Sequence, residues 1–197
     1  MGKIVLNMVV SLDGYTAGPN DEDEGLHDWV FSPATREWSH SPNAAGGGGG
    51  SGAVLERSIA GTGAVVMGKR MHDIGDQVDP NWDGPYKVPH FVVTHAALAN
   101  TVKGGFPVNY VDGVASAIEQ ARQAAGDLDV TVIGGANVAK QCIEAGLLDE
   151  LHLHTVPLLL GKGLSLFGDL DIKRVDLEIV RAVHAPDVTH VEYRVAK

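Results

Sequence analysis

With 197 residues and a hydrophobic content of 44%, the chain has the material for one domain with a substantial core. Its 15 Lys+Arg against 25 Asp+Glu oppose a sequence-independent grip on nucleic acid or an anionic membrane, and no run approaches the ~18 apolar residues of a membrane span. The single cysteine, Cys142, excludes an internal disulfide and a cysteine-based zinc site and suits a reducing, cytoplasmic setting.

The opening MGKIVLNMVV is apolar but interrupted by Asn7 and has no small-residue cleavage site behind it, so it reads as a strand and not as a secretion signal. Leu6 stands where a myristoylation signal needs Ser or Thr. The strand ends at SLDG, and after an acidic, solvated loop (DEDE) the stretch LHDWVF reads as a short helix. There Trp29 and Phe31 can line a cleft for a flat heterocycle, with Asp28 or His27 hydrogen-bonding to it. Equally, Asp28 can simply offset the positive end of a helix, and Trp29 can belong to the core. Residues 39–52, SHSPNAAGGGGGSG, form a low-complexity segment expected to be a mobile surface loop, either a linker without a role or a lid near a site.

A second buried strand, GAVVMG, ends at Gly68 and is followed at once by Lys69 and Arg70. Two cations at a strand's carboxyl end suit a phosphate chosen by charge, such as the 2′-phosphate that separates NADP from NAD; the plainer alternative is a solvated basic turn. The strand HFVVT presents Thr94 and His95 in the same kind of place. In GVASAIEQARQAAG, Val114, Ala117, Ile118, Ala121 and Ala125 recur at helical spacing, with Glu119, Gln120 and Arg122 off that face. DVTVIGGANVAK follows: a buried strand, two glycines, then a helix in which Val138 with Cys142 and Ala139 with Ile143 form i,i+4 pairs before Gly146 stops it. Glycines at that junction either serve tight packing or let a pyrophosphate reach the amides at the helix start. Strand, helix, strand, helix, strand from about residue 108 to 156 is the pattern of a parallel sheet.

His152 and His154 share one face of the next strand, a spacing zinc can use, but no partner completes a site, and no metal is expected. The tail alternates apolar and polar residues in VDLEIVRAV and VTHVEYRV around HAPD, an antiparallel hairpin at the sheet's edge. No G-x-S-x-G elbow, P-loop or H-E-x-x-H occurs.

In their order, MVVSLDGYTAG, GAVVMGKRMHDIG and VIGGANVAKQCIEAGLLDELHLHTVPLLLGKGLSLF resemble the dihydrofolate reductase-like family that includes the reductase domain of the bifunctional riboflavin-biosynthesis deaminase/reductase. The likeness covers nearly the whole chain except the glycine-rich segment, and no zinc signature of a deaminase accompanies it. It implies a single domain over residues 1–197: an α/β fold with a mixed, mainly parallel sheet flanked by helices and a C-terminal antiparallel hairpin. It also implies NADPH-dependent hydride transfer to a small flat heterocycle of the pterin or pyrimidine kind, in a homodimer by analogy. By motif, Gly134, Gly135, Ala136 and Asn137 would hold the pyrophosphate, and Gly68, Lys69 and Arg70 would read the 2′-phosphate. Thr94 and His95 would lie near the adenosine, Ala17 and Gly18 beside the nicotinamide, and Leu160 and Gly161 at the reacting end. Asp28 would be proton donor or substrate anchor, with His27 and Trp29 beside the substrate. Met71 stands where the family places a phosphate-contacting threonine. The alternative is a non-catalytic protein of the same fold that binds NADPH or a folate-like drug.

Overall fold

The computed structural model describes residues 2–32, 50–82 and 84–196; of the expected glycine-rich loop, residues 39–49 lie outside the described residues. Nine strands form one sheet among them: β1 (Ile4–Ser11), β2 (Thr62–Gly68), β3 (His90–Val93), β4 (Thr101–Lys103), β5 (Phe106–Val111), β6 (Asp129–Gly134), β7 (Glu150–Val156), β8 (Leu177–Ala185) and β9 (Val188–Val195). Their order is β4-β5-β3-β2-β6-β1-β7-β9-β8. The strands from β5 to β7 run parallel, while β4 pairs antiparallel with β5, β9 with β7 and β8 with β9. The helices are α1 (Ser51–Gly61), α2 (Lys69–Val78), α3 (Val114–Ala125) and α4 (Ala136–Glu144), with a 3-10 turn at Asp28–Phe31. The mixed α/β sheet with a terminal antiparallel hairpin is thus the expected one.

Strand β2 shows why its run is continuously apolar. Successive side chains point to opposite faces, so Ala64 and Val66 enter the core under α3 and α4, while Val65 and Met67 enter a second core with Val92, Phe106 and Val108. The stripe predicted on α3 is the buried one: Val114, Ala117, Ile118, Ala121 and Ala125. None of the described helices is long and apolar enough to cross a membrane.

Two helices differ from expectation. Ser51 and Gly52, read as the end of a loop, already belong to α1, and the basic turn after β2 is the first turn of α2. The paired imidazoles also resolve differently. In the antiparallel register of β7 with β9, His154 faces His190, and their Nδ1 atoms are 2.7 Å apart. Asn7 Nδ2 donates to Ser58 Oγ at 2.8 Å, which leaves Asn7 Oδ1 to accept from His154 Nε2 at 2.7 Å. Neutral His154 must then accept at Nδ1, His190 must donate from Nδ1, and the bare His190 Nε2 accepts from Ser51 Oγ at 2.9 Å. One direction of donation therefore runs from helix α1 through two strands to β1. Trp29 packs on both imidazoles, with ring centroids 5.4 Å from His154 and 5.0 Å from His190.

Candidate active site

The six parallel strands end on one edge of the sheet, and in an open α/β sheet that edge is where ligands sit. At its middle, β6 ends in Gly134, which has φ 149° and is joined to Gly135 by a cis peptide bond. A Cβ built on Gly135 would meet nothing within 4 Å, and one on Gly68, at the end of neighbouring β2, would lie 3.3 Å from Val138 Cγ2 of α4 and 3.7 Å from the Gly135 nitrogen. The two strand ends thus form a cradle without side chains. Helix α4 starts from it with no side-chain cap, so its first amides carry a partial positive charge that no capping side chain offsets. Ala136 is buried, and Asn137 is exposed, its Oδ1 accepting from Gln141 at 2.6 Å.

Lys69 and Arg70 are the first two residues of α2, beside the cradle. Cations at a helix's positive end oppose its dipole, and this first turn contains no acid. Such a local conflict is a mark of function or of compensation from elsewhere. Here compensation is partial: Lys69 bonds Asp73 at 2.5 Å, and Arg70 pairs with Asp21 from the loop after β1. The Lys69 ammonium, chiefly, holds the Asp73 carboxyl below its usual range. Met71 lies against the cradle from below, its Cγ 3.3 Å from where a Gly134 Cβ would stand.

On the other side of β6, the loops after β1 and β7 are joined. Thr16 donates its N–H to Leu164 O at 2.8 Å, and Leu164 donates back to Ala17 O at 2.9 Å. Asp13 accepts from the amides of Leu160 at 3.1 Å and Gly161 at 2.7 Å, and from the Ser11 hydroxyl at 2.6 Å. The Ser11 bond, first, and those two amides hold its carboxyl below the ordinary value. Asp13 positions Leu160 and Gly161, and the sequence reading missed it; the SLDG stretch signalled a turn but not what the aspartate holds.

The remaining candidates spread out. The 3-10 turn exposes Asp28, and His27 pairs with Asp23 at the surface. Trp29 is 3% exposed; the flat surface expected to face a substrate is taken up by His154 and His190, in a cluster that Leu160 also joins. Phe31 is exposed. Thr94 donates its N–H to Val111 O at 2.9 Å, and exposed His95 pairs with Asp112 at 2.7 Å. A cleft of about 450 Å³ lies between the start of α3 and the end of α4, lined by Asp112, Gly113, Ser116, Gln141 and Leu147 among others; it includes none of the cradle residues. Among the described residues, His72, Asp73 and Asp76 have ligand atoms within 4.8 Å of one another, spacing that a metal ion can use. Ammonium groups already serve both carboxylates, Lys103 on Asp76 and Lys69 on Asp73, and Trp82 Nε1 donates to Asp76 at 2.5 Å.

The family model described as RibD C-terminal domain matches residues 2–191. Uncharacterized protein YyaP of Bacillus subtilis is 24% identical over 190 residues, covering 90% of this chain and 86% of that protein. A solved structure described as a candidate riboflavin biosynthesis protein from Shewanella sp. PV-4 superposes with a TM-score of 0.68 at 24% identity, covering 99% of both chains. The diaminohydroxyphosphoribosylaminopyrimidine deaminase/5-amino-6-(5-phosphoribosylamino)uracil reductase of Thermotoga maritima gives 0.64 at 14% identity, over 99% of this chain and 57% of that one. These structural likenesses establish the fold.

Proposed function

Because the chain belongs to the RibD C-terminal domain family, we propose that it is a reductase that passes hydride from NADPH to an electron-poor double bond or carbonyl of a flat, polar heterocycle. A pyrimidine- or pterin-like substrate is favoured, since the Thermotoga maritima relative is by name a deaminase and 5-amino-6-(5-phosphoribosylamino)uracil reductase, whose substrate carries a pyrimidine ring. The observation that carries the reading is the conjunction at one sheet edge: a cradle a Cβ would fill, uncapped helix amides, and two cations held against a helix dipole. A dinucleotide carrying an extra phosphate fits that donor set.

When bound, the reduced nicotinamide would supply the hydride; the chain supplies binding and orientation. In this reading Gly134, Gly135, Ala136 and Asn137 receive the pyrophosphate, with Gly68, Lys69 and Arg70 on the 2′-phosphate and Thr94 and His95 toward the adenosine. Ala17 and Gly18 flank the nicotinamide. Leu160 and Gly161, held by Asp13, bound the substrate end, where Asp28 or water delivers the proton beside His27. Buried Trp29 acts as backing for that wall rather than as a stacking face. The protein works as one domain in the cytoplasm, paired with a second copy by family analogy.

The experiment is to mix the protein with NADPH and a panel of pterins, pyrimidines and quinones and to follow nicotinamide absorbance. Oxidation with one class of heterocycle is expected; tight binding with no turnover across the panel favours the non-catalytic reading instead. Gly135→Val gives a cleaner test of the cradle. At φ −82° the backbone accepts any side chain, and the added carbons enter open space, so the melting temperature should stay put. NADPH affinity should fall by at least ~1–3 kcal/mol, because the branched side chain fills the path of the pyrophosphate. Equal affinity in a calorimetric titration would remove this site from the proposal.

A further inference from the structure

Sheet order gives the Arg70–Asp21 ion pair a meaning beyond neutralisation. Strand β6 lies between β2 and β1. Arg70 follows β2, and Asp21 belongs to the loop that follows β1. A contact between them therefore crosses the end of β6, which is the Gly134–Gly135 cradle. The two side chains form a strap over the mouth in which the proposed dinucleotide would lie.

The two carboxylates at the start of α2 are not equivalent. Asp73 sits on the same helix as Lys69, four residues on, and travels with it. Asp21 sits on another element, at φ 67°, a region that aspartate tolerates better than most non-glycine residues. Its side chain is 13% exposed while that of Arg70 is 67% exposed, so the carboxylate is covered and the guanidinium keeps donors free for a second anion. The loop's base is fixed to the β7 side by the Thr16, Ala17 and Leu164 bonds. Its tip is a turn closed on itself, with Gly18 N–H donating to Glu22 O at 2.8 Å and Asp21 N–H to Gly18 O at 3.2 Å.

We propose that Asp21 is a specificity-determining residue that stands in for the ligand's phosphate: it occupies Arg70 across the cradle, and a ligand phosphate group must displace it. The inference rests on reading Lys69 and Arg70 as the pair that receives the 2′-phosphate. An unphosphorylated dinucleotide leaves the Asp21 pair intact and gains nothing from Arg70. A phosphorylated one exchanges one anion for another, so the margin by which the site prefers NADPH over NADH is set by how firmly Asp21 holds on. Asparagine or serine at this position keeps a polar tip without the charge and hands Arg70 to the ligand.

The test measures dissociation constants for NADPH and NADH by nicotinamide fluorescence in the unaltered protein, Asp21→Asn, Asp21→Ser and Arg70→Ala, with melting temperatures to confirm folding. Both Asp21 variants should bind NADPH roughly two- to fivefold more tightly, the effect of removing one competing ion pair, while NADH changes by less than that. Arg70→Ala should lower the NADPH to NADH preference. NADPH affinity that is unchanged or weaker in both Asp21 variants, with Arg70→Ala still lowering the preference, overturns the role of Asp21 and leaves the phosphate reading intact. An unchanged preference in Arg70→Ala shows that Arg70 does not read the phosphate and removes this inference with it.

Discussion

Between pH 6.5 and about 4.5 the protein should lose several kcal/mol of stability, and the unfolding reaction should take up about one and a half protons at pH 6.5, rising toward about three near pH 5. Three histidines are neutral because the fold covers them. Burial pushes His90 down to about 4 and His190 to about 4; burial, then the facing His190, takes His154 to about 3, against an ordinary 6.5. Their folded values lie below the unfolded one, so the unfolded chain binds more protons throughout that window. Their contribution is complete above pH 6.5 and drains away as pH falls toward the folded values. Each costs at most about 1.4 kcal/mol per pH unit, so the three together remove several kcal/mol over the window, a substantial part of a typical 5–15 kcal/mol. The carboxyls of Asp13, Glu22, Asp73, Asp76 and Glu150 are lowered as well, but the stability they add is lost only as pH falls below their unfolded values of 3.8 to 4.5. The histidine transition therefore comes first on acidification. Urea melts from pH 7 to 4.5 measure it, and a flat profile down to pH 5 would mean that the imidazoles are charged inside the fold. His90→Asn, whose amide can replace the Nδ1 bond to Val88 O, should remove about one third of the slope.

Gly163→Ala should destabilise the protein by about 2–5 kcal/mol, combining overpacking with backbone strain. Gly163 has φ 145°, and its Cβ would lie 2.1 Å from Ala17 O. That oxygen cannot yield easily, because it accepts the Leu164 N–H that joins the β1 and β7 loops. Gly161→Ala is the control: it has φ 71° with nothing within 4 Å, so it carries the strain without the collision and should cost only about 1 kcal/mol. Equal melting temperatures for the two variants would show that the loops give way freely. If Gly163→Ala folds at all, its displaced Ala17 should lower the turnover of the proposed reaction well before it alters NADPH affinity.

The sheet was legible because each buried strand is a short run of Val, Ile and Leu with a turn residue behind it, and α3 because its five apolar positions fall on one stripe. Helix α2 was hidden by its own chemistry: two cations at the positive end and Gly75 inside argue against a helix. The burial of His72 and the Lys69–Asp73 pair hold it together instead. Helix α1 was masked by the glycines before it, and β4 is only three residues long. For the site, Gly68, Lys69, Arg70, Gly134 and Gly135 could be found because they follow directly on apolar runs, so that local pattern alone brings them to one edge. Asp13 could not, since the amides it holds are 147 and 148 residues away. The same holds for His154: its spacing from His152 is local and visible, while the contact that matters is with His190, 36 residues on across the β7–β9 ladder.

The imidazole of His190 also couples two stretches of the chain. Trp29 lies on one side of that ring, its centroid 5.0 Å away, and Ser51 bonds the ring's Nε2 at 2.9 Å. The stretch that carries Trp29 and the start of helix α1 thus meet at one ring. Trp29 and Ser51 are therefore constrained together, and a change at either should loosen both stretches at the same ring.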